Sequence, residues 1–193
     1  MRTGVWGGTF DPPHLGHLVA ASDACQALGL DRLLWVPAAV HPLKGAAVRT
    51  PPAVRLEMVR AAIAGDPRFE ADDLELRRAG PSYTVDTLRA LHGREPGGEL
   101  FFLVGADILR DLPLWREPEA VARLARLAVL TRAGEALPPG GVLDAVPVPV
   151  TRVDLSATEV RRRVAAGETI RYLVPEAVRA IIEREGLYRG SSG

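Results

Sequence analysis

Residues 7–17 read Gly7-Gly8-Thr9-Phe10-Asp11-Pro12-Pro13-His14-Leu15-Gly16-His17, and their types and spacing are those of an anion grip. Glycines lack a Cβ, so backbone N–H groups can approach a ligand closely. The apolar, helix-like run from Leu18 to Leu28 follows directly. A helix start offers unpaired N–H donors and a partial positive charge, which favour phosphate. His14 and His17 are three apart, which puts both imidazoles on one face of the first turn. A strand, a glycine-rich bend and a helix mouth bearing two histidines make a device for holding a polyphosphate. Two histidines at a helix start also fit a capping arrangement or half of a metal site. A zinc site would have to draw on His41, His92, Cys25 or carboxylates, none at ligand spacing. Neither the Gly-Lys-Ser/Thr phosphate loop nor the dinucleotide Gly-x-Gly-x-x-Gly is present.

Three further stretches carry chemistry. Gly105-Ala106-Asp107 follows the apolar run 100–104. Gly105 permits close backbone approach, and Asp107 suits either a helix N-cap or an acceptor for ribose hydroxyls. Ser156 and Glu159 form a capping-box pattern that places Thr158 and Arg161 on one helical face. Arg161 can there meet phosphate oxygens in a bidentate manner, while Arg162 and Arg163 point elsewhere, toward solvent. Pro81-Ser82-Tyr83-Thr84 opens a helix whose first amides, of residues 83 to 85, are free to meet an anion. Trp115 offers either a flat face for an electron-poor ring or core packing.

The elements that must position these residues alternate. Strands are expected at 3–7, 33–36, 69–71, 74–76, 100–104 and 127–130. Residues 146–150 are strand-like, but Pro147 and Pro149 confine them to an edge. Helices are expected at 15–28, after Thr50 as cap with Pro51 in the first position, at 82–92, 117–124, 156–166 and 175–185. Strand–helix alternation predicts an α/β fold, a doubly wound, Rossmann-like parallel sheet with helices on both faces. In such sheets ligands sit outside the carboxyl ends of the strands, where residues 7–17 and 105–107 fall.

The chain of 193 residues suits one domain, expected over 1–189, with a flexible tail at 190–193. Basic and acidic residues balance at 24 each, which argues against a nucleic-acid partner. Lys44 is the only lysine, an arginine bias read as genomic rather than thermal. No apolar run is long enough to span a membrane, and no signal peptide is expected. Cys25 has no partner for an internal disulfide and reads as a buried thiol, so a cytoplasmic location is expected.

The string Gly8-Thr9-Phe10-Asp11-Pro12-Pro13-His14-Leu15-Gly16-His17 resembles the Gly-x-Phe-Asp-Pro-x-His-x-Gly-His motif of the nucleotidyltransferase superfamily. Leu155-Ser156-Ala157-Thr158-Glu159-Val160-Arg161 is similar to that superfamily's second element, Ile-Ser-x-Thr-x-x-Arg. With Pro81-Ser82-Tyr83-Thr84, Val104-Gly105-Ala106-Asp107 and Leu112-Pro113-Leu114-Trp115 in order between them, residues 3–189 resemble the bacterial nicotinate-nucleotide adenylyltransferase family. The resemblance implies transfer of an adenylyl group from ATP to nicotinate mononucleotide, in NAD biosynthesis. It implies catalytic roles for His14, His17 and Arg161. It assigns ATP binding to Gly8, Thr9, Phe10, Gly16, Gly105, Asp107, Ser156 and Thr158. Nicotinate mononucleotide is expected at Lys44, Tyr83, Thr84, Trp115 and Arg116, the last standing where relatives often carry an aromatic residue. Mg²⁺ is expected on the ATP phosphates, with no metal ligand from protein side chains. The expected partners are these two small molecules, without nucleic acid or membrane.

Sibling families fit less well. Phosphopantetheine adenylyltransferases usually carry threonine where this chain has His14, and a cytidylyltransferase leaves residues 81–84 and Trp115 without a task. A non-catalytic nucleotide sensor on the same fold would be expected to lack His14, His17 or Arg161, all of which are present.

Overall fold

A computed structural model describes residues 1–39, 50–78, 80–106, 108, 112–132 and 145–190. Its centre is one sheet of six parallel strands: β1 (Arg2–Gly8), β2 (Arg32–Pro37), β3 (Phe69–Ala71), β4 (Glu99–Gly105), β5 (Arg126–Arg132) and β6 (Ala145–Val150). The order is β3-β2-β1-β4-β5-β6, the doubly wound arrangement expected from strand–helix alternation. Winding reverses between β1 and β4, where Val5 lies opposite Phe102. The loops leaving these two strands therefore diverge and leave a crevice, and they are the loops that begin at Gly8 and Gly105.

Period-two alternation sends β4 to both faces. Leu100, Phe102 and Val104 join Val85, Leu88, Leu91 and Val121 on one side; Phe101 and Leu103 join Ala21, Ala24, Cys25 and Trp35 on the other. The first side is covered by α3 (Thr84–Arg94) and α4 (Pro118–Leu124), the second by α1 (Leu15–Leu28) and α2 (Pro52–Ile63). A Cβ at Gly4 would lie 2.6 Å from Leu30 Cδ1 and 2.7 Å from Leu33 Cδ1, so only glycine admits this leucine packing within β1. A third apolar cluster, including Met58, Val160, Val178 and Ile182, ties α5 (Ala157–Ala165) and α6 (Glu176–Arg184) onto α2. This cluster brings the C-terminal helices to the site.

Three local expectations are corrected. Residues 74–76 form a turn rather than a strand, because the Asp72 carboxylate accepts the Leu74 N–H at 2.9 Å and breaks the extended run. Helix α2 begins at Pro52 with Pro51, not Thr50, in the cap position. The Thr50 carbonyl instead accepts from Arg55 Nε at 3.3 Å. Helix α3 begins at Thr84, with Tyr83 as cap, because the Ser82 hydroxyl is engaged by the Ala39 N–H at 3.1 Å. The proline-bearing β6 does lie at the sheet edge. The expected loop at 134–141, Lys44, Asp107 and the tail residues 191–193 lie outside the described residues.

Candidate active site

His14 caps α1 in extended conformation, at φ −141° and ψ 170°. Its ring stacks on that of His17, with centroids 3.7 Å apart and planes 28° from parallel. The His14 backbone N–H donates to His17 Nδ1 at 3.2 Å. A neutral His17 that accepts at Nδ1 carries its proton on Nε2, so its remaining ring nitrogen is a donor. Gly16 makes the stack possible, since a Cβ there would approach His14 Nδ1 to 3.1 Å. Aromatic rings form the wall behind the pair: Trp6 and Phe10 meet His17 edge-on at 5.6 and 5.4 Å. Phe10 is buried at a φ of 47°, in the left-handed region, and its ring covers the Cα of Gly8.

Burial holds both imidazoles neutral at pH 7. The His14 pKa is pushed down to about 4, and that of His17 well below its ordinary value, by burial and then by the charge of His14. As pH falls, the unfolded chain takes up a proton on His14 before the folded chain does. The stability His14 contributes above about pH 6.5 is therefore lost as pH falls from there toward about 4. Urea midpoints measured between pH 7 and 4.5 should decline accordingly, and His14→Ala should flatten that decline. An equally steep profile in the variant contradicts the assignment.

Long-range contacts hold the loop. Arg55, 1 % exposed, donates from Nη1 to the Thr9 carbonyl and from Nη2 to the Ala38 carbonyl, both at 2.7 Å, as well as to Thr50. One guanidinium thus joins the loops that leave β1 and β2 to the start of α2. The buried Asp11 carboxylate accepts from Tyr188 OH at 2.5 Å. Arg161 donates to the Asp11 carbonyl at 2.7 Å and to Thr158 Oγ1 at 3.2 Å, so the motif at 155–161 does lie against the glycine-rich bend. Ser156 Oγ accepts the Glu159 N–H at 3.1 Å, but only half of the capping box forms. The Glu159 carboxylate is taken instead by Arg162 and Arg163. Those two arginines face away from the loop as expected, yet they are ion-paired rather than merely solvated.

Two cavities open on either side of Trp6, which lines both. One contains His14, Gly16 and His17, with Thr131 and residues 150–155 on its far wall. The other contains Gly8, Tyr83, Thr84, Gly105, Trp115 and Arg116, with Ala38, Glu75 and Ser82 at its back. Trp115 packs edge-on against Phe102 at 5.8 Å, as its core-packing reading expects, and it also lines the cavity. Arg116 reaches back over the Tyr83 ring at 5.0 Å and stands 3.8 Å from the Asp86 carboxylate, toward the mouth of α3. Ser156 and Thr158 are exposed and, like Arg161, line neither cavity. Trp6, Arg55, Glu75 and Tyr188 are site residues that sequence reasoning missed. Among the described residues no group of three or more His, Cys, Asp or Glu could hold a metal ion. No described helix is long and apolar enough to cross a membrane.

A crevice at the switch point of a 3-2-1-4-5-6 sheet, lined by a glycine-rich bend and a histidine pair, is the arrangement of a nucleotide-binding α/β protein. The model of the family described as cytidylyltransferase-like matches residues 5–163. A protein of Thermus thermophilus named "probable nicotinate-nucleotide adenylyltransferase" is 50% identical over 190 residues, covering 98% of this chain and 100% of its own. One of the same name from Rubrobacter xylanophilus is 45% identical over 201 residues, covering 100% and 94%. The chain therefore belongs to the cytidylyltransferase-like family and, within it, to the nicotinate-nucleotide adenylyltransferases. The fold matches that of Plasmodium falciparum nicotinic acid mononucleotide adenylyltransferase, solved in complex with NaAD, with a TM-score of 0.78 and 17% identity over 97% of both chains.

Proposed function

We propose that residues 1–189 form an enzyme that transfers the adenylyl group of ATP to nicotinate mononucleotide, giving deamido-NAD and pyrophosphate. The observation that carries this reading is the pair of cavities meeting at Trp6: a ring-and-carboxylate pocket on one side, a polyphosphate grip on the other. The phosphate of the mononucleotide attacks the α-phosphorus of ATP, and the bond to the pyrophosphate leaving group breaks. A phosphate monoester is largely ionised at neutral pH, with a second pKa of about 6, so no general base is required. Catalysis then rests on alignment and on neutralising developing charge.

In this reading the ring N–H groups of neutral His14 and His17 donate to oxygens of the α- and β-phosphates. Gly8, Thr9, Phe10 and Gly16 shape the bend that receives the triphosphate. Arg161, with Thr158 and Ser156 beside it, meets the departing pyrophosphate. Arg161 spends two donors on Asp11 and Thr158, and its other N–H groups are the ones assigned to phosphate. Gly105 and Asp107 take the ribose of ATP. Mg²⁺ would travel as part of the ATP substrate and withdraw charge from its phosphates. The histidine and arginine donors fit the remaining phosphate oxygens rather than the ion. Small molecules, not nucleic acid or membrane, are the partners in this proposal. A cytoplasmic setting is the one in which ATP and a buried free thiol at Cys25 are at home.

The acceptor ring lies on Trp115, and its carboxylate meets the N–H groups at the mouth of α3, around Tyr83 and Thr84, with Arg116 and Lys44 supplying positive charge. That mouth presents donors, which a carboxylate satisfies with both oxygens. A carboxamide would leave one donor unpaired, at a cost of about 1–3 kcal/mol. The acid should accordingly be preferred over nicotinamide mononucleotide by roughly ten- to hundredfold in kcat/KM. Trp115→Ala should lower kcat/KM for both acceptors alike, since either ring stacks. A parent enzyme that uses acid and amide equally well would overturn the acceptor assignment while leaving adenylyl transfer intact.

A further inference from the structure

The cavity assigned to the pyridine ring contains one carboxylate among its described lining residues, and that carboxylate belongs to Glu75. An acidic side chain is an unexpected wall for a pocket that is to receive an anion. Its bonding explains the placement. Glu75 is 6 % exposed, and Thr87 Oγ1 donates to its Oε1 at 2.6 Å. Ser82 lines the same cavity, and its Oγ accepts the Ala39 N–H at 3.1 Å. Ser82 immediately precedes the cap of α3, and Thr87 lies one turn inside the helix. Glu75 therefore ties the turn at residues 74–77 to the body of α3, while the Ala39–Ser82 bond ties the approach to α3 to the loop that leaves β2.

We propose that Glu75 is a specificity-determining positioning residue: its bond to Thr87 fixes the first turn of α3 so that the amides of Tyr83, Thr84 and Val85 converge on an anionic acceptor group. Helix ends fray unless their first turn is tied down, and the cap residue Tyr83 supplies no side-chain bond of its own. Glu75 takes the place of the missing cap from outside the helix. The Thr87 hydroxyl meanwhile takes one acceptor site of the carboxylate, a site that would otherwise be open to the NH₂ of a carboxamide, the group that the pocket must refuse. This inference rests on the acceptor assignment made above.

The test is the ratio of kcat/KM for nicotinate mononucleotide to that for nicotinamide mononucleotide, measured with the KM for ATP in the parent, Glu75→Ala and Glu75→Gln. Glu75→Ala should lower the ratio at least tenfold through loss of the acid substrate, while the KM for ATP changes less than threefold. Glu75→Gln keeps an acceptor oxygen for Thr87 and should recover most of the ratio. Should Glu75→Ala fail to fold, Thr87→Val cuts the same bond with a nearly isosteric side chain and should move the ratio in the same direction. A ratio in Glu75→Ala or Thr87→Val within threefold of the parent would overturn the proposal. So would a glutamine no better than alanine, or a KM for ATP that rises in step with the loss of the acid. A parent that does not turn over nicotinate mononucleotide overturns the acceptor assignment itself and this inference with it. A parent that prefers the acid, with variants that keep the preference, overturns the role of Glu75 alone.

Discussion

His17→Ala should reduce turnover by about two to three orders of magnitude, the usual loss when one preorganised donor to a developing charge is removed. The His14 N–H occupies His17 Nδ1, which leaves the proton on Nε2, and burial keeps the ring neutral at pH 7. A neutral donor set in a wall of Trp6 and Phe10 costs no reorganisation when phosphate charge shifts during reaction. His17 lines the cavity and belongs to none of the three apolar clusters, so the variant should stay folded, with a cooperative melt close to that of the parent. Loss should fall on kcat, because the interaction strengthens in the transition state. Activity within threefold of the parent, in a folded variant, would show that His17 does not hold phosphate.

The second large effect belongs to Arg55. Methionine fills much of the same volume but has no donors, so Arg55→Met leaves the carbonyls of Thr9, Ala38 and Thr50 without their partner. Each buried carbonyl left unpaired costs about 1–3 kcal/mol, and the three together, partly relieved by relaxation, cost about 3–5 kcal/mol. For a protein of this size that is a fall in Tm of roughly 6–20 °C, at about 2–4 °C per kcal/mol. Turnover per folded molecule should also drop, on the order of a hundredfold, because the bend carrying Thr9 and the loop carrying Ala38, which belong to the two proposed substrate sites, are no longer held in register. Thermal melts and single-turnover rates report the two effects separately. A Tm within about 2 °C of the parent would mean that the three carbonyl contacts contribute little.

What could be read in advance and what could not divide by sequence distance. The histidine pair, the opening of α3 and Trp115 sit in contiguous stretches, where local spacing fixes which groups can meet. The strand–helix alternation is equally local, and the doubly wound sheet follows from it. Arg55 and Tyr188 are different. Arg55 reaches a carbonyl 46 residues away, and Tyr188 reaches a carboxylate 177 residues away. In the sequence, Arg55 is one arginine among many in the chain, and nothing local separates it from Arg60 on the same helix. Only the packing of α6 and α5 on α2 brings Tyr188 and Arg161 to Asp11. Glu75 was hidden for a related reason. Leu74-Glu75-Leu76 alternates like a strand, and the Asp72 turn that places Glu75 inward competes with that pattern without announcing itself. Ser82 shows the same competition: it stands at a helix start, yet its hydroxyl is engaged by the Ala39 N–H.

Release of pyrophosphate from ATP, with and without nicotinate mononucleotide, tests the central claim most directly. The account predicts negligible release from ATP alone and rapid release once the mononucleotide is added. One dinucleotide with the mass of deamido-NAD should form for each pyrophosphate. Release that is indifferent to nicotinate mononucleotide, or no release with it present, would contradict the account.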